Sequence, residues 1–209
     1  MDVSLPGKGD KLFLPEEDYF EGAWIGNPGN KFFLYSEGYK KAAKVLFGFC
    51  EGNAFFNNTV VYPIIFLYRH FIELRLKELI VLGYQYLDIH EDFPNDHSLE
   101  RLWNKYRSDI VGAVDNWDKD DLDNVERLLR EFNQIDPKSF SFRYPVDTSP
   151  ERNPSLSLET VDLKNFSEVM EKLIYFLDCQ VLSLSSYLDL KNEMIADMMN
   201  DMYQDYYHE

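Results

Sequence analysis

The sequence contains little cysteine, with only Cys50 and Cys179 in 209 residues. The two are far apart, and each lies in an apolar helical pattern without the closely spaced partner that a zinc site needs. His90 and His208 lack ligand-like neighbours at helical spacing, and His97 is placed to cap or pack at the start of a helix. We therefore expect two buried core thiols, no metal and no cofactor.

Basic residues are scarce as well, with 21 Lys and Arg against 37 Asp and Glu and a formal net charge of -16. Because phosphate backbones are bound chiefly by Lys and Arg, RNA binding would need a local basic patch that overcomes this overall charge. The acidic balance suits a cationic partner, although such a charge most often only keeps a protein soluble.

Long apolar runs and the common enzyme motifs are missing. No stretch reaches the ~18 apolar residues of a membrane span, and residues 1–10 lack a charged-then-apolar signal pattern. There is no phosphate-binding glycine-rich loop, dinucleotide motif or G-x-S-x-G elbow. We expect a cytoplasmic protein that does not enter a membrane and lies outside the phosphate-loop and dinucleotide-binding enzyme classes, while a Ser-His-Asp arrangement stays open without an elbow motif to support it.

Helical periodicity dominates what remains and predicts an all-α bundle of four to five helices. The second predicted helix is apolar almost all round, so it should lie at the centre. Pro63 either kinks this helix or marks the first turn of its main part. The first two predicted helices run from Ser36 to about Gly52 and from Asn53 to Gly83. The third runs from His97 to about Val114, with Asn95 or Asp96 as its cap, and the fourth starts at Asp118 or Asp120. The last starts at Thr160 or Asp162 and runs through Tyr187 or on to the C-terminus.

Breaker residues divide the chain into regions. Residues 1–35 carry five glycines and three prolines, which predicts an irregular N-terminal arm, and their many aromatics predict that it packs on the bundle. Residues 36–188 form the helical domain, and 189–209 an acidic, methionine-rich helix or tail. Within the domain, 136–159 is a Pro-rich loop, longer than a connection needs, with a short extended piece at 139–144.

A polar stripe crosses the otherwise apolar second helix. Arg69, Glu73 and Lys77 are spaced by four residues, and His70 lies on the neighbouring arc. One interpretation is a structural ladder of ion pairs. The other is a polar pocket, where His70 titrates near neutral pH and Arg69 or Lys77 holds an anion.

The Pro-rich loop carries an arginine between two aromatic residues, in the run from Phe142 to Pro145. Such an arginine places a cation beside stacking faces. Arg143 either pairs with a core carboxylate such as Glu73 and pins the loop, or joins Tyr144 in completing the polar pocket.

The C-terminal segment has one acid every four residues from Asp189 to Glu209, next to four methionines. Like charges at that spacing oppose helix formation, so we expect this end to fray alone. It is either a solvated face or a surface that a basic partner orders. The predicted partner-binding residues are Asp197, Met198, Asp201, Met202 and Asp205.

Two motifs give the sequence a resemblance to a known superfamily. The run LYRHFIELRLK at 67–77, followed by HSLERLW at 97–103, resembles the core of HEPN-like proteins, where a helix with E-L-x-L-K precedes an H-x-L motif. The run 142–145 also resembles a loop element of some bacterial members. The resemblance covers about residues 60–180 and implies a four- or five-helix bundle, often dimeric, in prokaryotic toxin–antitoxin, phage-defence or RNA-processing settings.

Many HEPN-like proteins are metal-independent ribonucleases built around R-x(4-6)-H, and this sequence lacks that motif. The leading hypothesis is therefore a non-catalytic interaction module in a prokaryotic defence, toxin–antitoxin or stress system. It self-associates or binds a protein partner through the acidic C-terminal helix or the Pro-rich loop. One alternative is a divergent ribonuclease, with His70 as acid or base and Arg69 and Arg143 stabilising phosphate charge. Another is a small-ligand sensor that uses the polar stripe.

Overall fold

A computed structural model describes residues 5–15, 22–25, 31–50, 52–114 and 117–208, with side chains of the last helix through 204. Its described part is an all-α bundle, as predicted. Five helices occur there: α1 (Lys31–Gly48), α2 (Ala54–Tyr86), α3 (Leu99–Tyr106), α4 (Lys119–Ile135) and α5 (Leu163–His208). After α3 the chain continues through a π-helical segment, Arg107–Val111, and a short helical piece, Gly112–Val114.

The chain forms two compact units, Met1–Lys31 and Phe32–Glu209. In the first unit, the described residues 5–15 and 22–25 form neither helix nor strand, which is the irregular backbone expected of the arm. The predicted packing of the arm on the bundle stays a prediction.

Helix α2 is central, as its apolar circumference predicted. It packs against α5 and α3, and α3 packs against α4. Seven of its apolar side chains are fully buried: Ile64, Tyr68, Phe71, Ile72, Leu76, Leu79 and Ile80. Fully burying a large apolar side chain contributes about 1.5–3 kcal/mol, so this helix supplies much of the stabilisation of the fold.

Side-chain caps fix the starts of four helices. Asn53 Oδ1 accepts the Phe56 amide at 3.0 Å in α2, and Asp118 caps α4. Asp162 Oδ1 likewise accepts the Asn165 amide at 3.0 Å in α5. At α3 the predicted cap, Asn95 or Asp96, was wrong. Ser98 caps the helix, and Asp96 Oδ1 accepts the Ser98 amide at 2.8 Å.

Three predicted helix boundaries were also wrong. Helix α1 ends at Gly48 and not near Gly52. Ser36 does not start α1, which begins at Lys31, and its buried hydroxyl donates to the Phe33 carbonyl at 3.1 Å. Gly83 does not end α2, which runs to Tyr86. A Cβ at Gly83 would lie 2.5 Å from Ile110, so this glycine permits close packing of the π-helical segment.

The start of the Pro-rich loop is turned and not extended. Ser139 has a φ of 57°, and the Arg143 and Tyr144 amides both donate to the Phe140 carbonyl, at 3.0 and 3.2 Å. The cause is Asp136, whose Oδ1 accepts the amides of Phe140 at 2.6 Å and of Ser141 at 3.0 Å. These bonds curl the backbone into turns.

The acidic end of α5 was expected to fray, but the helix continues to His208. Repulsion between exposed acids four residues apart costs only about 0.2–0.5 kcal/mol per pair, and extending an existing helix needs no new nucleus. Among the described residues, no helix is both long and apolar enough to cross a membrane.

Of the two cysteines, Cys50 is buried as predicted, whereas Cys179 on α5 is partly exposed. Both are free thiols.

Candidate functional site

The predicted polar stripe forms a buried ionic network around Glu73. Glu73 Oε1 lies 3.0 Å from Lys77 Nζ and 2.8 Å from His97 Nδ1, and its Oε2 lies 3.3 Å from Arg69 Nη1. Arg69 is fully buried, and Glu73 is 1% exposed. We call Arg69, Glu73, Lys77, His97 and Asp136 the Glu73 network.

Arg69 joins three parts of the chain. Its Nε donates to the Asp136 carbonyl at 2.9 Å, just after α4, and its Nη2 donates to the His97 carbonyl at 2.8 Å, just before α3. With Glu73 on Nη1, each of the three guanidinium nitrogens has an acceptor. This arrangement is the ladder of ion pairs that was one of the two interpretations of the polar stripe. His97 and Asp136 extend it from outside α2.

The network keeps Glu73 ionised although it is buried. Burial works against the carboxylate, but hydrogen bonds from Lys77 and His97 outweigh it, so the pKa of Glu73 lies below its usual value. The side chain of His97 is 62% exposed, and it is the part of the network that solvent reaches most readily.

His70 lies outside this network, among aromatic rings. Its ring meets Tyr39 of α1 edge-on at 4.4 Å and stacks on Phe66 at 5.8 Å between centroids. Burial lowers the pKa of His70; Glu73 opposes this shift, while Lys77 adds to it. The neutral imidazole is therefore favoured near pH 7.

Arg143 does not pair with Glu73, which corrects one interpretation of the loop. Its Nε donates to the Ser139 carbonyl within the same loop. Its Cζ lies 5.6 Å from the ring centres of both Phe66 and Tyr144. No ion pair or further hydrogen bond holds it among the described residues, and the residue is exposed.

The six residues of the predicted pocket therefore separate into two groups. Arg69, Glu73 and Lys77 belong to the buried network, whereas His70 and Arg143 both pack on Phe66, and Tyr144 lies beside Arg143. Because Arg69 is fully buried, it is not accessible to a substrate phosphate in this structure. Within the described chain, no three His, Cys, Asp or Glu side chains form a group that could hold a metal.

Sequence reasoning missed a second buried ionic cluster on α2. Arg75 is 2% exposed. It lies 2.7 Å from Glu37 of α1, 2.7 Å from Glu78 of α2 itself and 2.8 Å from Asp178 of α5. Lys40 joins it through Glu37 and Asp178. The available signal was the Arg75–Glu78 pair three residues apart, although the partners on α1 and α5 required the fold.

The predicted partner-binding residues lie on an exposed stretch of α5. All side chains from Asn192 to Gln204 are exposed, including Asp197, Met198, Asp201 and Met202. The side chain of Asp205 lies outside the described part of the chain.

Comparison with known proteins returned no relative: no family model matches the sequence, and no curated protein or solved structure matches it.

Proposed function

We propose that this chain is a non-catalytic, HEPN-like interaction module of the prokaryotic cytoplasm, which binds a basic protein partner on the end of α5 in a defence, toxin–antitoxin or stress system. The observation that carries the proposal is a row of apolar side chains on that end, each 45–71% exposed. We call them the C-terminal stripe: Leu190, Met194, Ile195, Met198, Met199, Met202 and Tyr203.

The HEPN-like part of the proposal is supported by the way the two motif segments meet. Glu73 and Lys77 belong to the E-L-x-L-K motif, and His97 opens the H-x-L motif. Glu73 bonds both of the others, and Ser98 of the second motif caps α3. The resemblance thus involves residues that hold α2 and α3 together, which is an architectural role.

The stripe lies on helix that projects beyond the bundle. Lys191 Nζ contacts the Tyr86 carbonyl and Asp88 Oδ2, both at 2.7 Å. The next 13 residues, 192–204, have exposed side chains throughout. At 1.5 Å per residue, they form about 20 Å of helix that the described chain leaves uncovered.

The spacing of the stripe suits a helical partner. Leu190, Met194, Met198 and Met202 are four residues apart, and a second row of three with the same spacing lies beside them. Residues four apart share one helix face, so the two rows form a continuous apolar surface. Methionine side chains adapt to different partners, as in helix-in-groove recognition.

The charges beside the stripe support a basic partner. Asp189, Glu193, Asp197 and Asp201 run beside the stripe, and no Lys or Arg follows Lys191. Two copies of this helix would bring like charges together, which is unfavourable, whereas a basic amphipathic segment supplies opposite charges. Self-association, which the family resemblance implies, is the competing arrangement.

The test uses the purified chain and a fluorescent amphipathic helical peptide of leucine and lysine. Fluorescence anisotropy should show saturable binding that weakens as salt rises, and deletion of 189–209 should abolish it. Light scattering of the same samples reports self-association. Binding that survives the deletion would contradict the proposal, as would a concentration-dependent dimer that the deletion removes while the peptide does not bind.

A further inference from the structure

An open cleft of about 1190 Å³ lies between the first turns of α2, the Pro-rich loop and the start of α5. Much of its wall is apolar or aromatic, including Val61, Tyr62, Phe142, Pro145, Leu156 and Leu158. The volume exceeds the 300–1000 Å³ common for small-molecule sites, so it has room for an extended apolar body. This cleft is separate from the C-terminal stripe.

Arg143 gives the cleft one oriented cationic group. Its Nε is tied to the Ser139 carbonyl, and the rings of Phe66 and Tyr144 flank the guanidinium at 5.6 Å. The terminal nitrogens have no protein acceptor among the described residues. A guanidinium held in this way presents two parallel donors, the geometry that recognises a carboxylate or a phosphate.

The other charges of the cleft favour a ligand of single charge. Lys164 adds a second cation, but Glu159 and Asp162 in the same wall balance both cations. The wall is therefore neutral within a chain of formal charge -16. A dianion such as a phosphate ester meets more repulsion there than a monoanion does.

We infer that the cleft binds a hydrophobic carboxylic acid, with its carboxylate on the Arg143 fork and its apolar body along Val61, Leu156 and Leu158.

The experiment titrates octanoate into the full chain by calorimetry, with octanol and octyl phosphate as comparisons. Octanoate should bind saturably, and more tightly than either comparison. Arg143→Gln should weaken octanoate binding about 10-fold or more, as expected for loss of a bidentate charge-assisted contact, and Arg143→Lys should restore part of it. Arg152→Gln is the matched control, because Arg152 is an exposed arginine of the same loop outside this wall.

A second variant separates ligand contact from loop folding. Leu158→Asp places a negative charge in the wall at a side chain that is already 42% exposed, so the melting temperature should change little while octanoate binding falls. Absence of saturable octanoate binding would overturn the inference. So would equal binding of octanol, tighter binding of octyl phosphate, or affinity unchanged by both Arg143→Gln and Leu158→Asp.

Discussion

Replacing Glu73 with glutamine tests the structural role of the Glu73 network. The substitution keeps the side-chain volume but removes the charge that faces Arg69 and Lys77, which are 0% and 6% exposed. Lys77 has no other carboxylate within ion-pair distance among the described residues. Removing one partner of a buried ion pair costs about 3–5 kcal/mol, because the remaining charge stays buried.

The matched control is Glu171→Gln, which makes the same chemical change in an exposed pair. Glu171 lies 2.8 Å from Lys44, and the side chains of the two are 50% and 43% exposed. An exposed pair contributes about 0–1 kcal/mol. The difference between the two variants therefore reports burial and not the loss of a carboxylate as such.

Urea unfolding followed by far-ultraviolet circular dichroism gives both free energies of unfolding. For a chain of this size, 3–5 kcal/mol corresponds to a fall in Tm of about 6–20 °C. If Glu73→Gln costs no more than Glu171→Gln, the network does not hold α2 to the segments around it, and the argument for an architectural role is wrong.

Two further predictions concern His70 and the close packing of α2. Because burial lowers the pKa of His70, the unfolded chain binds more protons between that pKa and about 6.5. The stabilising contribution of the neutral His70 is thus complete above pH 6.5 and is lost as pH falls, so His70→Gln should flatten this part of the stability profile. Gly83→Ala should destabilise the chain by about 1–3 kcal/mol, because its Cβ meets Ile110 at 2.5 Å. The open helical position Gly38 should gain up to about 1 kcal/mol on the same change, and thermal melts compare the two.

The features that the sequence predicted depend on neighbours in the chain. The helix starts at Asn53, at Asp118 and at Asp162 could be predicted, the last two as one of two alternatives each, because a capping side chain bonds an amide two or three residues later. The central position of α2 followed from its own apolar circumference. Both kinds of signal lie within one helix.

The contacts of the Glu73 network that the sequence did not predict depend on distant parts of the chain. Arg69 bonds Asp136, which is 67 residues away, and His97 reaches Glu73 across 24 residues. The π-helical segment at 107–111 likewise packs on Gly83, which the sequence alone suggested as a helix end. The polar stripe was visible in the sequence, but whether it formed a network or a pocket depended on these remote partners.

The most direct test of the proposed function compares two variants that each add one aspartate to α5. Met198→Asp changes the C-terminal stripe, whereas Asn200→Asp changes an exposed residue on the opposite side of the same helix. Burying a methionine contributes about 1.5–3 kcal/mol, and 1.4 kcal/mol is tenfold in affinity. Met198→Asp should therefore weaken binding of the leucine–lysine peptide at least about tenfold, while Asn200→Asp leaves it unchanged or slightly tighter. Equal affinities for the two variants would contradict the claim that the stripe is the docking surface.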